Sequence, residues 1–297
     1  MMVAQPFARH SFRSLSREQF HEVSYTEWGA DGERGLVVCV HGLTRQGRDF
    51  DFLAQRLAQQ GYRVICPDIV GRGLSGQLVR GSDYDLDQYV LDMAVLLAKL
   101  NAANVNWVGT SLGGQIGILL AGLSNSPIHR LVVNDIGPNL PINAVLRIGH
   151  YVRNGPRFFP NLEAAVAYFR EILQPFGRLT EHQWRHLAEH SVKRDEDGQY
   201  VLRYDRRLTQ GFKAPWHYRH RLWTAWERIN CPILILRGAD SDLLLPGTAK
   251  EMLRRNPHSK LETIADCGHA PALMDEKQIA LVSEWIGMTL PKEMKVA

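Results

Sequence analysis

The sequence predicts an α/β fold: a mostly parallel central sheet, helices on both faces and an inserted helical cap. Three observations carry that prediction. Short apolar runs alternate with segments of helical spacing from about residue 36 to residue 133, as parallel βα units require. The rhythm breaks after Gly137-Pro138 and resumes at Pro232. A Gly-x-Ser-x-Gly signature stands at one of the strand-to-helix junctions.

The elements follow in order. Residues 21–28 (HEVSYTEW) alternate as a half-buried strand, and 29–35 supply a turn. Residues 36–40 (LVVCV) form a continuous apolar run, the pattern of a strand covered on both faces. A helix over 52–60 stops at Gly61, and a buried strand over 63–66 ends at Pro67. Then come an amphipathic helix over 86–100, a strand at 105–108 (VNWV), a helix rich in small residues over 112–123 and a strand at 130–133. Residues 139–228 are helical and irregular, with many aromatics and arginines. The alternation returns with a strand at 232–236, a helix over 248–255, a strand at 260–264 and a last helix over 277–290. The expected division is a core of 1–138 and 229–297 around a cap of 139–228.

Composition narrows the function. A chain of 297 residues with 45% hydrophobic and 22% charged residues can bury the core of one domain with a lid. No repeat or low-complexity tract interrupts it. No apolar run approaches the roughly 18 residues of a membrane span. A net charge of +4 without a basic stripe argues against nucleic acid as partner. The first residues lack the apolar core of a secretory signal, and Arg9, Arg13 and Arg17 read as a basic leader. Cys39, Cys66, Cys231 and Cys267 form no CxxC pair and fit reduced, buried thiols of a cytoplasmic protein.

The chemistry concentrates at Gly109-Thr110-Ser111-Leu112-Gly113-Gly114. A strand runs into this segment and a helix runs out. A turn that sharp strains the serine backbone, lifts its hydroxyl above the sheet and sets it at a helix N-terminus, where negative charge is favoured. Val40-His41-Gly42-Leu43, Pro67-Asp68-Ile69-Val70-Gly71-Arg72-Gly73-Leu74-Ser75 and Cys267-Gly268-His269-Ala270-Pro271 complete a set of motifs. With them the chain resembles the α/β-hydrolase superfamily over nearly its full length.

The resemblance implies a serine nucleophile at Ser111 and a general base at His269, the one histidine in the right order and the right turn. The oxyanion hole is expected from the Leu112 N–H, directly after the nucleophile, and the Leu43 N–H. His41 is expected to brace the loop rather than to move protons. The acid should follow the strand PILIL, where Asp240 and Asp242 compete. Counting forward from Gly238 lands on Ser241, one residue off the usual pattern; counting back from Pro246 favours Asp242. Asp240 ranks second, and Asp135, after the strand RLVV, third. An acyl-enzyme mechanism with these groups requires no metal and no organic cofactor.

The leading expectation is a hydrolase of small or medium carboxylic esters. Ser111 argues against dehalogenase or epoxide-hydrolase chemistry, which uses aspartate there. Hydrolysis of carbon–carbon bonds in diketones and of amides or N-terminal prolyl peptides uses the same groups, and a receptor that merely retains them is a further alternative. His182, His186 and His190 share a helical face, but no His-Glu-x-x-His arrangement supports a metal. Trp216, Tyr218, Trp223 and Trp226 either line a pocket or pack the lid.

Residues 139–228 hold 15 Lys and Arg against 9 Asp and Glu. Either this charge draws anionic small molecules to the site, or arginines such as Arg203, Arg206, Arg207, Arg219 and Arg221 face water or pair with acids such as Asp205 and Glu227.

Overall fold

The computed structural model of the protein describes residues 7–214 and 216–289. Its strands are β1 (Phe7–Leu15), β2 (Phe20–Trp28), β3 (Leu36–Val40), β4 (Arg63–Pro67), β5 (Val105–Thr110), β6 (Ile128–Asn134), β7 (Val192–Arg194), β8 (Tyr200–Leu202), β9 (Ile233–Gly238) and β10 (Ser259–Ile264). Its helices are α1 (Asp51–Gln59), α2 (Leu86–Lys99), α3 (Leu112–Ala121), α4 (Ile142–Asn154), α5 (Leu162–Ile172), α6 (Glu181–Ser191), α7 (Arg219–Arg228), α8 (Pro246–Arg255) and α9 (Glu276–Gly287).

Eight strands make one sheet in the order β1-β2-β4-β3-β5-β6-β9-β10. β1 pairs antiparallel with β2, and β2 with β4; the others run parallel. The apolar runs explain why. Alternate residues of each parallel strand face opposite sides. Val38, Val40, Trp107, Leu131 and Val133 pack on one face with α2 and α3, whereas Val37, Cys39, Val108, Val132 and Leu234 pack on the other with α1 and α9. Burying one such Val, Leu or Ile contributes about 1.5–3 kcal/mol. All four cysteines are free and buried.

One expectation changes. Residues 7–15, read from the sequence as part of a basic leader, form edge strand β1, in which Phe12 and Ser14 are buried while Arg9 and Arg13 project into solvent. Charges on an edge strand discourage pairing with other chains. Within 139–228, α7 packs on core helix α3 so closely that a Cβ on Gly122 would stand 2.5 Å from the Ala225 carbonyl oxygen. Trp226 is buried there and donates its indole N–H to the Met252 carbonyl at 2.9 Å. That helix therefore packs with the core layer, and α4 to α6 and the β7–β8 hairpin precede it in the chain. The last helix ends at Gly287; the expected end at residue 290 lies outside the described residues. Among the described residues, no helix is long and apolar enough to cross a membrane.

Candidate active site

The carboxyl ends of the parallel strands converge on one place, the usual ligand edge of an open α/β sheet. Ser111 follows β5, Asp135 follows β6, Ser241 follows β9, His269 follows β10 and Leu43 follows β3. Ser111 has φ 53° and ψ −114°, a conformation that costs a side-chain-bearing residue about 1–3 kcal/mol. The flanking glycines make it attainable. A Cβ on Gly109 would lie 2.2 Å from the Gly113 oxygen, and one on Gly113 2.0 Å from the Val40 oxygen. The turn is held by the Ser111 N–H, which donates to the Asn134 carbonyl at 2.9 Å.

Ser111 Oγ lies 2.9 Å from His269 Nε2, and His269 Nδ1 lies 2.8 Å from Asp135 Oδ2. The three side chains form one hydrogen-bonded chain, with Asp135 fully buried. Three donors converge on the Asp135 carboxylate. Oδ1 accepts the Gly238 N–H at 2.8 Å; Oδ2 accepts the Ser241 hydroxyl at 2.5 Å and the His269 ring N–H. Asn134 carries the histidine turn by donating to the Pro271 carbonyl at 2.8 Å.

The carboxylate that meets His269 is that of Asp135, not of Asp242 or Asp240. Asp242 does not meet His269. Its carboxylate accepts two hydrogen bonds from the Arg147 guanidinium, each 2.9 Å, and its side chain is 50% exposed. Asp240 does not meet His269 either; it is exposed. The inward position of this loop belongs to Ser241, whose hydroxyl also accepts the Leu243 and Leu244 N–H groups at 3.2 and 3.1 Å. Counting forward from Gly238 lands on that serine, the one-residue departure noted in the sequence. A carboxylate missing there is supplied from the adjacent strand by Asp135, which turns inward at φ +56°.

Leu43 and Leu112 line the same cavity as Ser111. Among the described residues, neither backbone N–H meets a protein acceptor. Two buried side chains fix this loop. His41 Nδ1–H donates to the Gly42 carbonyl at 2.7 Å, and its Nε2 accepts the Ile69 N–H at 2.9 Å. Arg72 donates to the Leu43 carbonyl at 2.7 Å and to that of Val70 at 2.6 Å. Arg72 lies within the 67–75 motif, and an arginine inside a glycine-rich turn is the only trace this contact leaves in the sequence.

Burial pushes the His41 imidazole from 6.5 down to about 3, so it stays neutral. The unfolded chain binds that proton where the folded one does not. Stability from this group is therefore present above pH 6.5 and lost as pH falls toward 3. His190, held down to about 4 chiefly by burial, acts in the same direction. Urea unfolding midpoints are expected to fall between pH 6.5 and 4, with a shallower slope in His41→Gln; an equal slope in both would contradict this.

The cavity beside Ser111 measures about 140 Å³ and is mostly apolar, lined by residues such as Tyr89, Ile136, Leu140, Val145 and Leu222. Of the four aromatics singled out in the sequence, Tyr218 lines it. Trp223 and Trp226 pack inside and Trp216 is 65% exposed. His186 and His190 come together with Asp51, their ligand atoms within 4.8 Å of one another, while His182 packs edge-on against Phe52. The Arg48 guanidinium already occupies the Asp51 carboxylate at 2.7–2.8 Å. His186 Nε2–H donates to the Arg48 carbonyl at 2.9 Å, which favours an ion-paired strut over a metal centre.

Comparison with known proteins agrees with this fold. The family model described as "Alpha/beta hydrolase family" matches residues 37–282. A 3-hydroxybutyrate-oligomer hydrolase of Cupriavidus necator is 43% identical over 279 residues, covering 91% of this chain and 94% of the relative. An esterase of Mycobacterium tuberculosis is 25% identical, over 86% of this chain and 83% of its own length. Among solved structures, a putative hydrolase from Rickettsia typhi superposes with a TM-score of 0.86 at 30% identity, over 96% of this chain and all of that one.

Proposed function

This chain belongs to the alpha/beta hydrolase family and is an ester hydrolase; from that premise we propose that it cleaves short oligomers of 3-hydroxybutyrate through an acyl-enzyme on Ser111. The observation that carries the reading is the hydrogen-bonded chain Ser111–His269–Asp135 opening onto a mostly apolar cavity. The 43% identical relative, aligned over nearly both chains, supplies the substrate class.

The residues divide the work. Neutral His269 takes the Ser111 proton at Nε2 as Oγ attacks the ester carbonyl carbon. Asp135 holds Nδ1–H and stabilises the imidazolium that forms. The Leu43 and Leu112 N–H groups face the oxygen that becomes negative. The bond from the carbonyl carbon to the alkoxy oxygen breaks, and His269 returns its proton to the leaving hydroxyl. Water then attacks the acyl-enzyme with His269 as base, and the released hydroxy acid restores Ser111.

A 3-hydroxybutyrate oligomer ends in a carboxylate. The lid's positive charge bears on this, but most of it is engaged elsewhere. Arg207 pairs with Asp205, Arg221 with Asp87, Arg147 with Asp242, Arg170 with Glu181 and Arg185 with Glu163. Arg203 and Arg206 bind backbone carbonyls. Among the described residues lining the cavity, Lys213 is the one lysine or arginine. Asp85 also lines it, but its carboxylate caps α2 by accepting the Gln88 N–H at 3.0 Å. Anion selection, in this reading, rests on Lys213.

The test offers the purified protein the 3-hydroxybutyrate dimer and the same dimer ending in a primary amide. The dimer is expected to be cleaved, with kcat/KM higher than for the amide by roughly three- to tenfold at low salt. High salt or Lys213→Gln should narrow that gap. Turnover of 4-nitrophenyl butyrate without cleavage of the dimer would contradict the substrate class. A gap indifferent to both salt and Lys213 would contradict the role of the lysine.

A further inference from the structure

We propose that Gln115 reads the 3-hydroxyl group of the acyl unit bound to Ser111, so that the site selects 3-hydroxyacyl esters over plain acyl esters. The inference rests on Ser111 being the nucleophile.

Gln115 stands one helical turn beyond Ser111, and its N–H donates to the Ser111 carbonyl at 3.1 Å. The rise over that interval is about 6 Å, and helical side chains lean back toward the N-terminus, here toward Ser111. The residue is 8% exposed and lines the cavity. Among the described residues no side chain or backbone group hydrogen-bonds its amide, which opens onto the cavity, and its neighbours in the cavity wall are largely apolar. Facing the open cavity, the amide is free to meet water, and a ligand that displaces that water without offering a polar group there leaves it unpaired, which is costly. On α3, whose other residues are Leu, Gly, Ile and Ala, a long amide gains nothing from packing that Leu or Met would not give.

A ligand that completes this amide needs a polar group two or three bonds from the carbonyl carbon attacked by Ser111. A 3-hydroxyl meets that requirement. It accepts from the amide NH₂ and donates to the amide oxygen, and the rest of a four-carbon acyl chain is apolar like the wall. A carboxylate does not suit a neutral amide as well, and the cavity's cation, Lys213, is a separate residue. A site built to hydrogen-bond a hydroxyl rejects the analogue lacking it, because the protein group then stays unpaired.

The experiment measures kcat/KM for 4-nitrophenyl 3-hydroxybutyrate and 4-nitrophenyl butyrate, which share a leaving group. The ratio within one protein is the readout, so a general loss of activity cancels. The wild type is expected to favour the hydroxyacyl ester by about 10- to 100-fold. In Gln115→Met and Gln115→Leu, each checked for folding by circular dichroism, the ratio should fall to about one. A wild-type ratio near one, or a ratio that survives both substitutions, would overturn the proposal. Failure of the wild type to hydrolyse either ester would overturn the Ser111 reading, and this inference with it.

Discussion

Asp135→Asn is expected to lower kcat for 4-nitrophenyl butyrate by roughly 10⁴-fold, the scale known for the equivalent change in a serine protease triad. The reason is donor–acceptor arithmetic. Asp135 accepts from the Gly238 N–H, the Ser241 hydroxyl and the His269 ring N–H. An asparagine offers one oxygen and one NH₂ to those three donors. With its NH₂ toward His269, the imidazole must accept at Nδ1 and carry its proton on Nε2, where it cannot take the Ser111 proton. Asp242→Asn breaks an exposed pair with Arg147, worth about 0–1 kcal/mol, and should leave kcat within about twofold. A crippled Asp242 variant beside an active Asp135 variant would reverse the assignment.

Ser111→Ala is expected to fold and to lose about a thousandfold or more in turnover, because the three side chains act as a unit. Ser111→Gly should lose as much activity yet melt at a higher temperature. Its backbone is held at φ 53°, which glycine adopts without the penalty that serine pays. The pair of variants separates chemistry from strain. Equal melting temperatures for wild type and Ser111→Gly would show that the turn stores no strain.

Much of this was legible in the sequence for a physical reason. Strands buried on both faces must be apolar throughout, so β3, β5 and β9 announce themselves as LVVCV, VNWV and ILIL. The Ser111 turn was legible because two backbone approaches near 2 Å admit only glycine. What was hidden follows the same logic. β1 lies at the sheet edge with two buried residues, so its sequence reads as a polar, basic segment. The carboxylate that meets His269 is not legible, because the segment after β9 holds two aspartates and a serine, and periodicity does not say which of them faces inward. The forward count to Ser241 and the aspartate after β6 were both visible. Their connection, a hydroxyl donating to a carboxylate from the neighbouring strand, exists only in three dimensions. Gln115 was likewise unremarked, since a glutamine in an apolar helix has meaning only once the cavity beside it is known.

In the proposed mechanism Ser111, activated by His269 and Asp135, is the nucleophile of an ester hydrolase. Reaction with a fluorophosphonate, followed by peptide mass spectrometry, tests it most directly. A single adduct on Ser111 is expected in the wild type, much slower labelling in Asp135→Asn, and none in Ser111→Ala. Labelling of a different residue, or labelling of Ser111 at the same rate in wild type and Asp135→Asn, would contradict it.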